Sequence, residues 1–128
     1  MGEADRVLLI PEGSRREGTP TGGMRREEAI ATDATWGGVA VTDAGMRSDW
    51  HHHGEYESVI YVLTGRLVME SGPGGADVVE ANPGDFLFVP RGAIHRETNP
   101  GSTEGVAVVV RSGRGVAVVN VDGPAASG

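Results

Sequence analysis

From Trp36 onward, short apolar runs alternate with turn residues at intervals of about ten positions, the rhythm of an all-β domain. Strands are expected over Trp36–Thr42, Arg47–His53, Ser58–Leu63, Arg66–Ser71, Asp77–Glu80, Asp85–Val89, Ile94–Thr98, Gly105–Arg111 and Gly115–Val121. Period-two patterning is plain in two of them: Val39 and Val41 share one face, as do Val106, Val108 and Val110. Ser58–Leu63 is apolar almost throughout, the pattern of a strand buried on both sides. Thr64-Gly65, Gly72-Pro73-Gly74-Gly75 and Asn82-Pro83-Gly84-Asp85 supply reversals. Met24–Ile30 has some helical character but is too short and too poorly capped to hold as a helix. Residues 1–23 read as an N-terminal arm in which Val7–Ile10 could pair as a strand, 24–121 as one barrel domain, and 122–128 as a flexible tail. A sandwich or barrel is the natural closure, because it hides strand edges.

A length of 128 residues suits a single domain with a real core. The 21 glycines and 7 prolines would permit disorder, but they punctuate Val-rich runs and therefore read as turns. A net charge of −7 and a pI near 5.0 argue against nucleic acid or an anionic membrane surface as a partner. Cysteine is absent, so any metal must be held by nitrogen and oxygen ligands. The apolar run Val7–Ile10 is too short for a signal peptide or a membrane span, and a cytoplasmic location is the expectation.

All four histidines fall in two places: His51, His52 and His53, followed by Glu57, and then His95. On an extended strand His51 and His53 leave the same face, and two such imidazoles can reach one ion. A carboxylate from the following turn can join them, and a third histidine from another strand would close one side of the sphere. On the same geometry His52 points away and reads as structural or as a support for a ligand. A run of histidines can also be plain solvated surface, but His95 would then need its own explanation.

Two spacings carry a resemblance. Gly84-x5-Pro90-x-Gly92-x2-His95-x3-Asn99 is similar at every position to the second motif of the cupin superfamily. Gly45-x5-His51-x-His53-x3-Glu57 resembles the first motif up to its closing glycine. There the chain departs, since seven residues rather than six separate Glu57 from Gly65; a one-residue bulge would absorb the difference. Glu55 is the substitute carboxylate. More loosely, the stretches WHHHGEYES and PGDFLFVPRGAIHRETNP resemble small single-domain bacterial cupins. The resemblance implies a double-stranded β-helix (jelly-roll) barrel, a homodimer, and one divalent ion inside, held by His51, His53, Glu57 and His95. Three imidazoles and a carboxylate suit Fe, Mn, Ni, Co, Cu or Zn and leave adjacent positions for water, dioxygen or a chelating substrate.

The expected function is a metal-dependent enzyme acting on a small organic molecule. Its chemistry would be dioxygenase-type with a redox-active ion, or isomerase, lyase or hydrolase chemistry with a Lewis-acid one. Glu57 and its neighbour Tyr56, as acid or hydrogen-bond donor, are the candidate catalytic residues. Tyr61 reads as core; Trp36, Trp50, Phe86 and Phe88 as barrel filling, with Trp50 able to wall the pocket. Arg47, Arg91 and Arg96 read as surface, although one of them could clamp a carboxylate substrate. Asn99 and the motif glycines read as turn-makers. The rival readings are a non-catalytic module binding a metal or small ligand, and a metal that merely staples the barrel.

Overall fold

A computed structural model describes residues 5–20, 23–116 and 118–125. Among these, eleven strands form: β1 (Arg16–Glu17), β2 (Met24–Ala31), β3 (Thr35–Thr42), β4 (His51–His52), β5 (Glu57–Thr64), β6 (Leu67–Ser71), β7 (Asp77–Ala81), β8 (Phe86–Val89), β9 (Arg96–Thr98), β10 (Gly105–Ser112) and β11 (Val119–Asn120). One antiparallel sheet has the order β1-β2-β3-β10-β5-β8; β7-β6-β9 and β11-β4 form two smaller ones. Single bridges, Arg47 to Thr98 and His51 to His95, lay the segment before and into β4 alongside β9. The two small sheets thereby join into one layer facing the large sheet, a double-stranded β-helix.

The inner faces meet in one core. The large sheet contributes Met24, Trp36, Ala40, Ile60, Val62, Val89, Ala107 and Val109, and the small layer Leu67, Met69 and Ala81. The alternation that predicted strands is what delivers these residues: in β5, Ser58, Ile60 and Val62 are buried while Val59 and Leu63 are exposed. Gly38 of β3 is required by packing, since a Cβ there would run into the Glu27 carbonyl and the Trp36 ring.

Several expectations are corrected. Met24–Ala31 is a strand, because it pairs β1 on one edge and β3 on the other, and that pairing overrides its helix-forming composition. Val7–Ile10 forms no strand, and Val7 is fully exposed. The strands expected over Arg47–His53 and Gly115–Val121 shrink to two residues each, which pair with one another; Ala117 lies outside the described residues. Ser58–Leu63 is covered on one side only. Phe86 and Phe88 do not fill the barrel: they stand on the outer face of β8, 68% and 60% exposed. Of the tail, residues 126–128 lie outside the described residues, while Ala125 is tied down through its carbonyl, which accepts from Gly74 N at 2.7 Å.

Candidate metal centre

The two histidine segments are joined directly by backbone. His51 N donates to His95 O at 3.0 Å and His95 N donates to His51 O at 2.9 Å. Each ring is then oriented by the same device: Nδ1 of His51 lies 2.8 Å from Asp49 O, and Nδ1 of His95 lies 2.9 Å from Ala93 O. A carbonyl only accepts, so both Nδ1 atoms carry the proton and both Nε2 atoms present a lone pair inward. His53 completes the group, and one ligand atom from each of the three rings lies within 4.8 Å of the others. All three are buried, His51 completely. His52 takes the opposite face, half-buried, with Nδ1 accepting from Gly54 N at 3.0 Å.

Among the described residues, Glu57 is not part of this group. The expected one-residue bulge exists in β5: Thr64 opposes Val106, Val62 opposes Ala107, and Leu63 is extra. It lies beyond Glu57, however, and does not turn that side chain inward. Strand alternation puts Glu57 on the face shared with Val59, and the next residue, Ser58, on the cavity wall. Counted from Gly65 with six intervening residues, the position of the first motif's carboxylate is Ser58. Glu55 is exposed. Tyr56 is half-buried and packs against the hydrophobic core.

The carboxylate in the site comes from elsewhere. Glu97 of β9, two residues after His95 and therefore on the same face, places Oε2 3.4 Å from His51 Nε2 and Oε1 3.5 Å from His95 Nε2. Ser48 fixes it: Glu97 N donates to Ser48 Oγ at 2.9 Å, Ser48 N donates to Glu97 O at 2.8 Å, and Ser48 Oγ stands 3.2 Å from Glu97 Oε2. Asn99, next on that face, donates Nδ2 to Thr103 O at 2.7 Å and accepts at Oδ1 from Gly101 N at 3.0 Å, closing the loop after the motif as a turn-maker should.

Two buried arginines complete the interior. Arg26 of β2 donates Nη1 to Thr19 O at 3.0 Å, and its Nη2 lies 3.5 Å from His51 Nε2. The arm therefore reaches the site through a carbonyl. Arg111 of β10 stacks its guanidinium over Trp36, 4.3 Å from the ring centre. The expectation that any functional arginine would be Arg47, Arg91 or Arg96 missed both. Trp50 instead lies under Arg96, at 4.2 Å, outside this cavity.

These charges set the protonation states. Burial opposes the charge on Glu97, yet His95, His51 and Arg26 hold its carboxyl well below the usual carboxylate range. Burial lowers the His51 pKa despite Glu97, which favours the neutral ring that ligates metals. Burial also opposes a charge on His95, but Glu97 outweighs it and raises the pKa. Burial, with repulsion from Arg26, brings Arg111 down to about 10, so it stays charged at neutral pH.

The residues fit a divalent ion. Ligand atoms bound to one ion at about 2.0–2.2 Å stand roughly 3 to 3.5 Å apart, the spacing seen between Glu97 and the two Nε2 atoms. His95 Nε2 is moreover a buried polar atom with no hydrogen-bond partner, its contact with Glu97 lacking hydrogen-bond geometry. An ion satisfies such an atom directly.

Comparison with known proteins agrees on the architecture. The polyketide cyclase RemF from Streptomyces resistomycificus superposes with a TM-score of 0.73 at 21% identity, covering 91% of this chain and 86% of that one. An uncharacterized conserved protein with a double-stranded β-helix domain from Klebsiella pneumoniae gives 0.70 at 18% identity, covering 91% and 97%. At these identities the likeness is one of fold. By sequence, 48 residues are 38% identical to the uncharacterized protein YdbB of Bacillus subtilis, covering 38% of this chain and 41% of that protein, so the match spans less than half of either. Among the described residues no helix is long and apolar enough to cross a membrane. The cupin domain family model matches residues 38–111, a stretch that takes in both histidine motifs and most of the barrel, and the chain belongs to the cupin domain family.

Proposed function

We propose that this chain is a metal-dependent enzyme acting on a small organic molecule inside the barrel, with His51, His53, His95 and Glu97 holding one divalent ion. The observation that carries the reading is the inward convergence of the three rings, two of them locked through Nδ1 to carbonyls. When bound, the ion supplies Lewis acidity or, if redox-active, a site for dioxygen chemistry. The chain itself does the positioning. Ser48 holds Glu97, Asp49 and Ala93 hold the rings, and Ile60, Val62, Leu67, Val89 and Val109 make an apolar wall around the approach. These apolar side chains, with His53 and His95, line one cavity inside the barrel, apolar on most of its wall and polar at the rings. Glu57 is then not a ligand, and Tyr56 sits behind the wall as support.

The reading includes a homodimer. β5 is apolar on both faces, and among the described residues nothing covers its outer one. Val59 lies beside Val110 and Phe88, and Tyr61 beside Val108 and Phe86, in one uncharged patch across β10, β5 and β8. A patch of exposed Val, Leu and Phe that is continuous over three strands is the kind of surface monomers bury, and a second copy offers the matching apolar face.

The test is metal content per chain of untagged protein by inductively coupled plasma mass spectrometry. About one equivalent of iron or manganese directs the next assays to oxygen uptake; zinc directs them to isomerisation, elimination and hydrolysis. Polyketide cyclisation joins that screen because of RemF. A chain that takes up none of these metals after reconstitution overturns the proposal.

A further inference from the structure

We propose that Arg111 and Ser58, with Arg26 behind them, seat a carboxylate, so that the substrate of the centre is a small organic acid in its anionic form. This rests on the reading of the barrel interior as the reaction site. In the large sheet Trp36, Arg111, Ser58 and Val89 form one cross-strand row over β3, β10, β5 and β8. Arg111 and Ser58 are direct neighbours on the inner face, both 2% exposed and both on the cavity wall. Arg111 Nε and Ser58 Oγ are buried donors with no hydrogen-bond partner; His95 Nε2, also unpartnered on this wall, presents a lone pair and belongs to the ion site. Unsatisfied buried donors are uncommon and costly, and here they face a common space.

Charge points the same way. The buried wall carries two guanidiniums, Arg26 and Arg111, against a single carboxylate, Glu97. Glu97 stands against His51 and His95 and also meets the charge of Arg26, so it is not reserved for Arg111. Arg66, also on the wall, is exposed and paired with Glu80. Among the described residues Arg111 has no ion-pair partner; what it has is the Trp36 ring, which holds its plane and leaves its edge for a ligand. A buried cation calls for an anion, and a divalent ion beside it would add to that demand. A guanidinium edge with a hydroxyl alongside matches the two oxygens of a carboxylate. Apolar side chains around it suit the hydrocarbon remainder of an organic acid.

The experiment compares butyrate with butyramide, and benzoate with benzamide, by titration calorimetry on metal-free protein. The same samples are assayed for metal content after reconstitution. At least a tenfold preference for the acids is expected in the wild type, and its loss in Arg111→Gln, with Arg111→Lys recovering only part. Equal affinity for acid and amide in the wild type overturns the proposal, as does a preference that survives in folded Arg111→Gln. If Arg111→Gln does not fold, Ser58→Ala decides: a several-fold loss of butyrate affinity with unchanged butyramide affinity supports the seat, and no change overturns it. The two readings fail separately. Acid preference in a chain that takes no metal leaves the seat standing and removes the enzyme, whereas one equivalent of metal without acid preference does the reverse.

Discussion

His51 and His95 form a reciprocal backbone pair, each donating its N–H to the other's carbonyl, and their rings lie 4.3 Å apart, centre to centre. Each ring is also held by the carbonyl two residues before it. The two motif halves are thus mirror uses of one local device, and the pair registers the devices against each other. His53 and Glu97 follow at the next inward positions on either side.

The ligand assignment makes the sharpest prediction. Glu97→Gln is expected to lower metal affinity by about ten- to a hundredfold, while Glu57→Gln leaves it unchanged, measured by competition with a chromophoric chelator. Alanine at His51, His53 or His95 is expected to reduce bound metal sharply. Ser58→Glu in the Glu97→Gln background should restore binding, because position 58 faces the rings from β5. Loss of metal in Glu57→Gln with retention in Glu97→Gln would reverse the assignment.

The outer face of the large sheet predicts the oligomer. Wild-type protein is expected to sediment as a dimer, and Phe86→Glu with Phe88→Glu as a folded monomer, since both side chains stand clear of the core. Sedimentation velocity with circular dichroism on the same samples checks this. A wild-type monomer at high concentration would remove the proposal.

Glu70 provides a pH dependence. Hydrogen bonds from Arg96, at 3.1 and 2.8 Å, hold its carboxyl below its ordinary value of 4.5, against the opposing effect of burial. A carboxylate depressed in the folded state contributes stability that is present above its unfolded value and lost as pH falls through the folded one. Arg96→Met is therefore expected to destabilise more at pH 7 than near pH 2, where only the loss of its stacking on Trp50 remains. The pair is partly exposed, so the difference should stay below about 1 kcal/mol. Urea unfolding at the two pH values measures it.

Leu67 tests the core. It is buried where the small layer meets the large sheet, and it lines the cavity. Leu67→Ala is expected to cost about 2–5 kcal/mol in urea unfolding. A cost under about 1 kcal/mol would mean that the wall collapses around the gap.

Much of this molecule was legible in the chain. Turn residues and alternating valines predicted the strands, and motif spacing paired His51 and His53 with His95. Even the bulge between Glu57 and Gly65 was expected, from a count one residue too long. What spacing could not show was which side of the bulge keeps register, and that decides between Glu57 and Ser58 as the inward residue. Glu97 escaped because it lies inside the second motif at a position the motif leaves open; period two from His95 was the signal that could have found it. Arg26 was hidden in the charged run MRREEAI, which looks solvated until β2 is recognised as a strand between two neighbours. Arg111 ends a valine run and looks like a strand terminus, yet its neighbours Trp36 and Ser58 take it inside. Phe86 and Phe88 mislead in the opposite sense, since hydrophobicity alone does not say which face of a sheet is the inner one.

The reciprocal pair of His51 and His95 has a consequence in time. Neither segment has a stable strand of its own, for β4 is two residues long and His95 lies just before β9. Local hairpins such as β2–β3 can form early, but this contact spans a long loop and waits on closure of the barrel. On the proposed ligand set, His51 and His53 are therefore expected to stand as a two-histidine pair until closure brings the third ring and the carboxylate together. An ion captured before that step would be held by two rings alone and would exchange, so the proposal assigns the choice of metal to the closed barrel and not to whichever ion meets the chain first.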